Sequence, residues 1–180
     1  GLGTRLTEET ALKPKPMIEI GGFPILWHIM KIYSFYGFND FVIALGYKGD
    51  LIKEYFLKYS EMLSDLTIDL KNNQIIKHHK VSENWIINLI STGDKSFTGT
   101  RLKNAMEFIG KERVMLTYGD GLSDINIKEL LEFHISHKKL ATLTAVRPSA
   151  RFGELSFEEN KITQFKEKPH YGEGWINGGF

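Results

Sequence analysis

Phe41-Val42-Ile43-Ala44-Leu45 is an unbroken apolar run, closed by Asn39-Asp40 on one side and Gly46 on the other. A run with no polar face makes a strand buried on both sides, a condition met by parallel sheets covered with helices. The flanking residues agree. Upstream, Ile25, Leu26, Ile29, Met30, Ile32 and Tyr33 recur at helical spacing between Pro24, placed as a first helical residue, and Gly37, placed as a stop. Downstream, Gly49-Asp50 opens a second helix with Leu51, Ile52, Tyr55 and Phe56 along one face. With the short strand before the first helix, strand, helix and strand alternate, which predicts an open α/β sheet.

The rest of the chain extends the pattern. Met17–Ile20 reads as a short strand before a Gly21-Gly22 turn, and Leu66–Leu70 with Gln74–Val81 as a hairpin about Asn72-Asn73. Trp85–Ile90 is a further strand, followed by a helix carrying Leu102, Ala105, Met106 and Ile109. Val114–Tyr118 repeats the buried-strand composition, Ile127–His137 is helical, Ala141–Val146 is extended, and a last hairpin turns at Glu159-Asn160. Trp27 and His28, on the first helix, are read as packing residues.

With 180 residues and 42% hydrophobic content the chain can bury one sizeable core. Its net charge of +1 gives no field suited to nucleic acid or a membrane surface, so any anion site must be local. The absence of cysteine removes disulfides and thiolate chemistry, and no apolar run approaches the roughly 18 residues of a membrane span, so a cytoplasmic protein is expected. The chain opens on a glycine loop with no strand before it and closes on Ile176-Asn177-Gly178-Gly179-Phe180, where an apolar run is starting. Residues 1–180 are therefore expected to form an incomplete single domain, its first strand and C-terminal part lying outside.

Several stretches carry chemistry. In Gly1-Leu2-Gly3-Thr4-Arg5-Leu6 two glycines let backbone N–H groups crowd an anion, and Arg5 adds a guanidinium fork matched to phosphate. No Lys-Ser or Lys-Thr follows as a Walker loop requires, and an ordinary turn would use the same glycines. Lys13-Pro14-Lys15-Pro16-Met17 reads as extended and stiff, presenting its lysines at fixed positions, either to a phosphate or simply to solvent. The hydroxyl-rich loop from Ser91 to Arg101 leads into a helix and suits a base edge, a phosphate or a plain N-cap. Asp120, between Gly119 and Gly121 at the end of an expected strand, would project into the crevice where open α/β sheets bind ligands, and would suit Mg²⁺. Glu167 and Lys168, pinned by Pro169, pair an acceptor with a donor suited to sugar hydroxyls and a phosphate, or form an exposed ion pair. His78-His79 would point to opposite faces of a strand, and His134 with His137 lacks a third ligand, so neither pair reads as a metal site.

In order along the chain, Gly1-x-Gly3-Thr4-Arg5-Leu6, Lys13-Pro14-Lys15-Pro16-Met17, Tyr118-Gly119-Asp120-Gly121, Phe152-Gly153 and Glu167-Lys168-Pro169 resemble the motifs of the sugar-phosphate nucleotidylyltransferases. Ile18-Glu19-Ile20-Gly21-Gly22, Trp27-His28-Ile29-Met30, Gly46-Tyr47-Lys48-Gly49, Thr98-Gly99-x-Arg101-Leu102-Lys103 and Ile176–Phe180 are similar to the branch that joins CTP to glucose 1-phosphate. That resemblance implies an α/β fold with a Rossmann-like, mixed but mainly parallel sheet flanked by helices, and a magnesium-dependent in-line displacement giving CDP-glucose and pyrophosphate, for surface polysaccharides such as the O-antigen of lipopolysaccharide. It implies that Gly1, Leu2, Gly3, Thr4 and Arg5 hold the triphosphate, that Arg5 and Lys15 are catalytic, and that Asp120 holds Mg²⁺. By the same likeness Ser96, Thr98, Gly99, Arg101 and Gly119 serve the nucleotide, and Gly153, Glu167, Lys168 and Asn177 line the sugar pocket. A homo-oligomer is expected, without nucleic acid or membrane as partner, and the resemblance implies a second metal-binding aspartate beyond residue 180. The chain taken alone is expected to be weakly active or inactive. Thymidylyl or uridylyl transfer and a non-catalytic nucleotide-binding module are the competing readings. A dinucleotide-binding oxidoreductase fits less well, since the third glycine and the acidic end of the second strand are missing.

Overall fold

A single 3-10 turn, Lys15–Met17, stands near the start of the described structure, a computed structural model covering residues 13–78, 83–148, 154–159, 161–166 and 174–180. It corrects the extended reading of the Lys-Pro-Lys-Pro segment. Pro14 is extended and caps the turn, and Pro16 sits inside the first turn, where an N–H would have no helical partner anyway. Strands β1 (Glu19–Ile20) and β2 (Phe23–Pro24) then pair antiparallel around Gly21 and Gly22, whose φ of +59° and +84° give the turn that two-residue hairpins favour.

Helix α1 (Ile25–Phe35) begins one residue later than expected: Pro24 is its N-cap, and Gly37, at φ +89°, ends it. Strand β3 (Asp40–Leu45) and helix α2 (Gly49–Met62) follow, and then β4 (Leu66–Asp69) and β5 (Gln74–Lys77) as an antiparallel hairpin shorter than expected. Val81 lies outside the described residues. Strand β6 (Ile86–Ser91) returns parallel to β3, in register from Asp40↔Ile86 to Leu45↔Ser91, and helix α3 (Thr98–Ile109) follows it.

The register explains the core. Phe41, Ile43 and Leu45 of β3 share a face with Ile87 and Leu89 of β6, because side chains alternate along a strand and paired residues point the same way. That face packs against Met17, Leu26, Met30 and Ile52, with Tyr55, Phe56 and Trp85 at its margin. Only Leu45 of β3 is fully buried, so burial of this strand on both faces, as its composition suggested, is not observed. Leu51 is 37% exposed and stands off the apolar face of α2. Trp27 does pack: it stacks on Phe23 at 4.2 Å and donates from Nε1 to the Tyr59 hydroxyl at 2.8 Å. His28 Nε2 lies 2.8 Å from the Ile20 carbonyl and fastens α1 to the hairpin before it.

These elements, with residues 119–127, form one compact unit; residues 114–118 and 128–180 form a second. In the second, α4 (Ile127–His137) ends with His134 Nδ1 and His137 Nε2 on the same Thr142 hydroxyl, at 2.8 and 2.7 Å. β7 (Ala145–Val146) pairs antiparallel with β10 (Ile176–Asn177), and β8 (Glu154–Glu158) with β9 (Lys161–Lys166) through Glu159 at φ +52°. The strand expected over Ala141–Val146 is thus confined to its last two residues. Val114–Tyr118, expected as a buried strand, joins no ladder among the described residues. Tyr118 N–H reaches the Gly179 carbonyl at 3.3 Å, and Val114, Leu116 and Tyr118 are exposed by 39%, 51% and 47%. Apolar composition favours a strand only where a partner edge is offered. Among the described residues no helix is long and apolar enough to cross a membrane.

Candidate active site

Lys15 is placed by what surrounds it in the chain. Pro14 fixes the entry to the 3-10 turn, Met17 N–H bonds the Pro14 carbonyl at 2.8 Å, and the Met17 side chain is 7% exposed in the core. Pro16 packs onto Gly119: a Cβ at Gly119 would lie 3.0 Å from Pro16 Cγ. With the Pro16 ring against Gly119, Lys15 Nζ comes 3.4 Å from Asp120 Oδ2, both side chains remaining partly open to solvent at 27% and 39%. An ammonium and a carboxylate remote in sequence thus share one point in space. Pro16, expected only to stiffen the segment, rests on Gly119 and so sets the spacing; its signal was its place between Lys15 and Met17.

The donor set fits a hard divalent cation in type: Asp120 offers carboxylate oxygen, the ligand magnesium prefers, and a substrate phosphate with water can complete such a shell. No cluster of three or more His, Asp or Glu side chains suited to a metal occurs among the described residues, so Asp120 would act with ligands from elsewhere.

The second group of expected residues lies at the carboxyl ends of β3 and β6. Thr92, 2% exposed, donates its hydroxyl to the Leu45 carbonyl at 2.7 Å, and its N–H reaches the same oxygen at 2.9 Å. Ser96 donates from Oγ to the Thr92 carbonyl at 2.6 Å, and Gly93, at φ +89°, makes the bend that allows it. The plain N-cap reading fails here. Phe97 is the N-cap of α3 and supplies no side-chain bond, while Thr98 and Gly99 are exposed in its first turn. Arg101 is folded inward: Nη1 donates to the Leu45 carbonyl at 3.1 Å and to Thr92 Oγ1 at 2.9 Å, and Nη2 to the Asp94 carbonyl at 3.1 Å. Gly46 faces this guanidinium so closely that a Cβ there would overlap it. Thr92 and Gly46 are the residues sequence reasoning passed over; a glycine directly after a buried strand and a hydroxyl opening the next loop were their only marks.

Asn177 is exposed at the end of β10. Its Oδ1 accepts the Gly179 N–H at 2.9 Å and its Nδ2 donates to the Tyr118 hydroxyl at 3.2 Å, within the second unit. Gly1, Leu2, Gly3, Thr4, Arg5, Gly153, Glu167 and Lys168 lie outside the described residues. A separate open cleft of about 460 Å³ lies against α1, lined by His28, Lys31, Tyr36 and Asp124 among others, and includes none of the expected substrate residues.

The parallel β3–β6 pair flanked by helices, with a lysine and an aspartate meeting in the same unit, defines an α/β protein with a charged site built from residues remote in sequence. The chain belongs to the nucleotidyl transferase family, whose model matches residues 1–179. It is 52% identical over 181 aligned positions to the glucose-1-phosphate cytidylyltransferase of Salmonella typhi, covering all of this chain and 70% of that protein. The probable glucose-1-phosphate cytidylyltransferase of Bacillus subtilis is 44% identical, again over all of this chain and 70% of the relative. The D-glycero-alpha-D-manno-heptose 1-phosphate guanylyltransferase of Aneurinibacillus thermoaerophilus is 30% identical over 99% of the chain and 69% of its own length.

Proposed function

We propose that this protein is a cytidylyltransferase acting on glucose 1-phosphate. A phosphate oxygen of the sugar phosphate attacks the α-phosphorus of CTP, the bond from that phosphorus to the bridging oxygen breaks, and pyrophosphate leaves as CDP-glucose forms. The observation that carries this reading is the approach of Lys15 to Asp120, since phosphoryl transfer asks of a protein chiefly alignment and charge neutralisation. Lys15 would hold the α-phosphate or the incoming sugar phosphate. Magnesium bound at Asp120 would supply further positive charge at the phosphate oxygens. Arg5 and the glycines before it would take the triphosphate, while Glu167, Lys168 and Gly153 would take the sugar. The choice of CTP rests on the two relatives named for that reaction.

The reaction would run in the cytoplasm, in a homo-oligomer, supplying CDP-glucose for a surface polysaccharide. Pyrophosphate release by the full-length protein, measured with glucose 1-phosphate and each of CTP, UTP, dTTP and GTP, tests the assignment. Turnover strongest with CTP is expected; comparable or greater turnover with another nucleotide would overturn it.

A further inference from the structure

We infer that Trp175, braced by Arg147, is a wall of the sugar site, the indole packing on the C–H face of the hexose and the guanidinium edge meeting its hydroxyls. The inference rests on the proposed function in taking the face that bears Asn177 as the one turned to the sugar. That face is defined by the β7–β10 ladder. Ile176 pairs with Val146 and Asn177 with Ala145, so one further step of the register sets Trp175 opposite Arg147. The contact is made: the Arg147 guanidinium carbon lies 4.9 Å from the centre of the Trp175 ring. Side chains alternate along a strand, so Trp175, Asn177, Ala145 and Arg147 share one face. Gly178 marks the other, since a Cβ there would meet Thr144 Oγ1 and Val146 Cγ1. A Cβ at Gly179 would meet the Tyr118 ring, and the Tyr118 hydroxyl accepts from Asn177 Nδ2, which puts that ring on the side of Asn177.

These side chains match a hexose in kind. Trp175 is 65% exposed although its body is apolar, and Arg147 covers one side of it. An exposed indole offers a flat apolar surface, which suits a sugar whose C–H bonds lie on the ring face and whose hydroxyls lie round the rim. Stacked on the indole, the guanidinium uses its flat face and keeps its N–H donors at the edge. Among the described residues that ring is its only partner. Asn177 adds a donor and an acceptor together. Its Nδ2 keeps one N–H beyond the bond to Tyr118, and its Oδ1 one lone pair beyond the bond from the Gly179 N–H. Trp175 and Asn177 stand two residues apart, about 7 Å along the strand, so one hexose can touch both. Exposed Ala145, opposite Asn177, is small enough to leave room above the ladder.

Calorimetric affinities of the full-length protein for CDP, CDP-glucose, UDP and UDP-glucose test the inference, since within each pair only the hexose differs. Trp175→Ala is expected to weaken both sugar nucleotides about tenfold, and Trp175→Phe much less, because the smaller ring still stacks. Arg147→Ala is expected to weaken them about fivefold, through lost hydroxyl contacts and loss of the brace. CDP and UDP should bind every variant as they bind the wild type. Equal weakening of CDP and CDP-glucose would make these residues phosphate ligands or a structural support, and would overturn the inference. So would a Trp175→Ala protein that binds the sugar nucleotides as tightly as the wild type. Tighter binding of the UDP pair than of the CDP pair would count against the proposed choice of CTP alone, since the comparison within each pair is unaffected.

Discussion

The ammonium nitrogen of Lys15 stands 3.4 Å from a carboxylate oxygen of Asp120, and the two are brought together by Pro16 resting on Gly119. Without substrate this is an ion pair open to solvent, and such pairs add little to stability. Its interest is chemical. A cation and a metal-type ligand at one point are suited to a phosphate that gains charge on its outer oxygens during transfer.

Lys15→Ala is accordingly expected to lower kcat by roughly 10²- to 10³-fold, with a smaller rise in KM for either substrate, because the contact strengthens as charge develops. Asp120→Asn should show a loss of similar size together with a higher magnesium requirement. Steady-state pyrophosphate release across magnesium concentrations reads both. The double variant should lose less than the sum of the single losses, since both groups act on one phosphate. A Lys15→Ala enzyme altered in KM alone would reduce this residue to ground-state binding.

Gly119→Ala isolates the spacing of the pair from its charges. The added methyl would meet Pro16 Cγ at 3.0 Å, tighter than ordinary contact, so the turn bearing Lys15 must give way by a few tenths of an ångström. Misplacement on that scale is expected to cost about tenfold in kcat while the thermal midpoint changes little. Unchanged kcat would show that the pair tolerates movement, and that Pro16 sets nothing of importance.

What could be read from the sequence was whatever depends on neighbours along the chain. The helices around Met30, Ile52 and Ala105 and the turn at Gly21-Gly22 follow from periodicity and from glycine's access to positive φ. Asp120 and Lys15 stood out because glycine and proline flank them. Less legible was anything settled by a distant partner. Val114–Tyr118 has the composition of β3 yet joins no ladder among the described residues, and Arg101 carries no local mark that its fork would turn inward to Leu45 and Thr92. Nor does composition show that the exposed amide of Asn177, expected at the sugar, bonds Gly179 and Tyr118. A side chain's partners are decided by packing, which composition does not state.

The core supports a simple comparison. Met30 is 1% exposed in the cluster that α1, α2 and the β3–β6 pair share, whereas Phe35, on the same helix, is 83% exposed. Met30→Ala should destabilise the protein by about 2–5 kcal/mol through lost burial and the cavity left behind. Phe35→Ala should stay within about 0.5 kcal/mol. Urea unfolding of both variants decides it, and equal losses would contradict the described packing.

Acid should loosen the β4–β5 hairpin at one identifiable group. Asp69 accepts from Asn72 Nδ2 at 2.7 Å and from the N–H groups of Asn72 and Lys71 at 3.0 and 2.9 Å. The Asn72 side chain and then its backbone N–H hold the carboxyl below its usual range. A depressed carboxylate contributes stability that is present above the unfolded value, about 3.9, and is lost as pH falls through the folded one. The amide resonances of Lys71 and Asn72 should therefore hold steady down to about pH 4 and move only below it. In Asp69→Asn they should not titrate in that range. A wild-type transition centred above the ordinary aspartate value would refute the assignment.

At the alkaline end the group to watch is Tyr55, which packs at the margin of the core. Burial pushes its phenol well above the usual range, and the nearby Tyr59 and Glu19 push it the same way. Because the folded protein favours the protonated phenol, the stability this provides is complete below the unfolded value, about 10, and is lost progressively as pH rises beyond it. Thermal midpoints should be flat from neutrality to about pH 9.5 and then fall. Tyr55→Phe, which keeps the ring and removes the ionisable oxygen, should fall less steeply, the remainder coming in part from Tyr59, which burial also raises. If wild type and Tyr55→Phe lost stability in parallel above pH 10, the phenol would have to be ionising freely, and its placement against the core would be wrong.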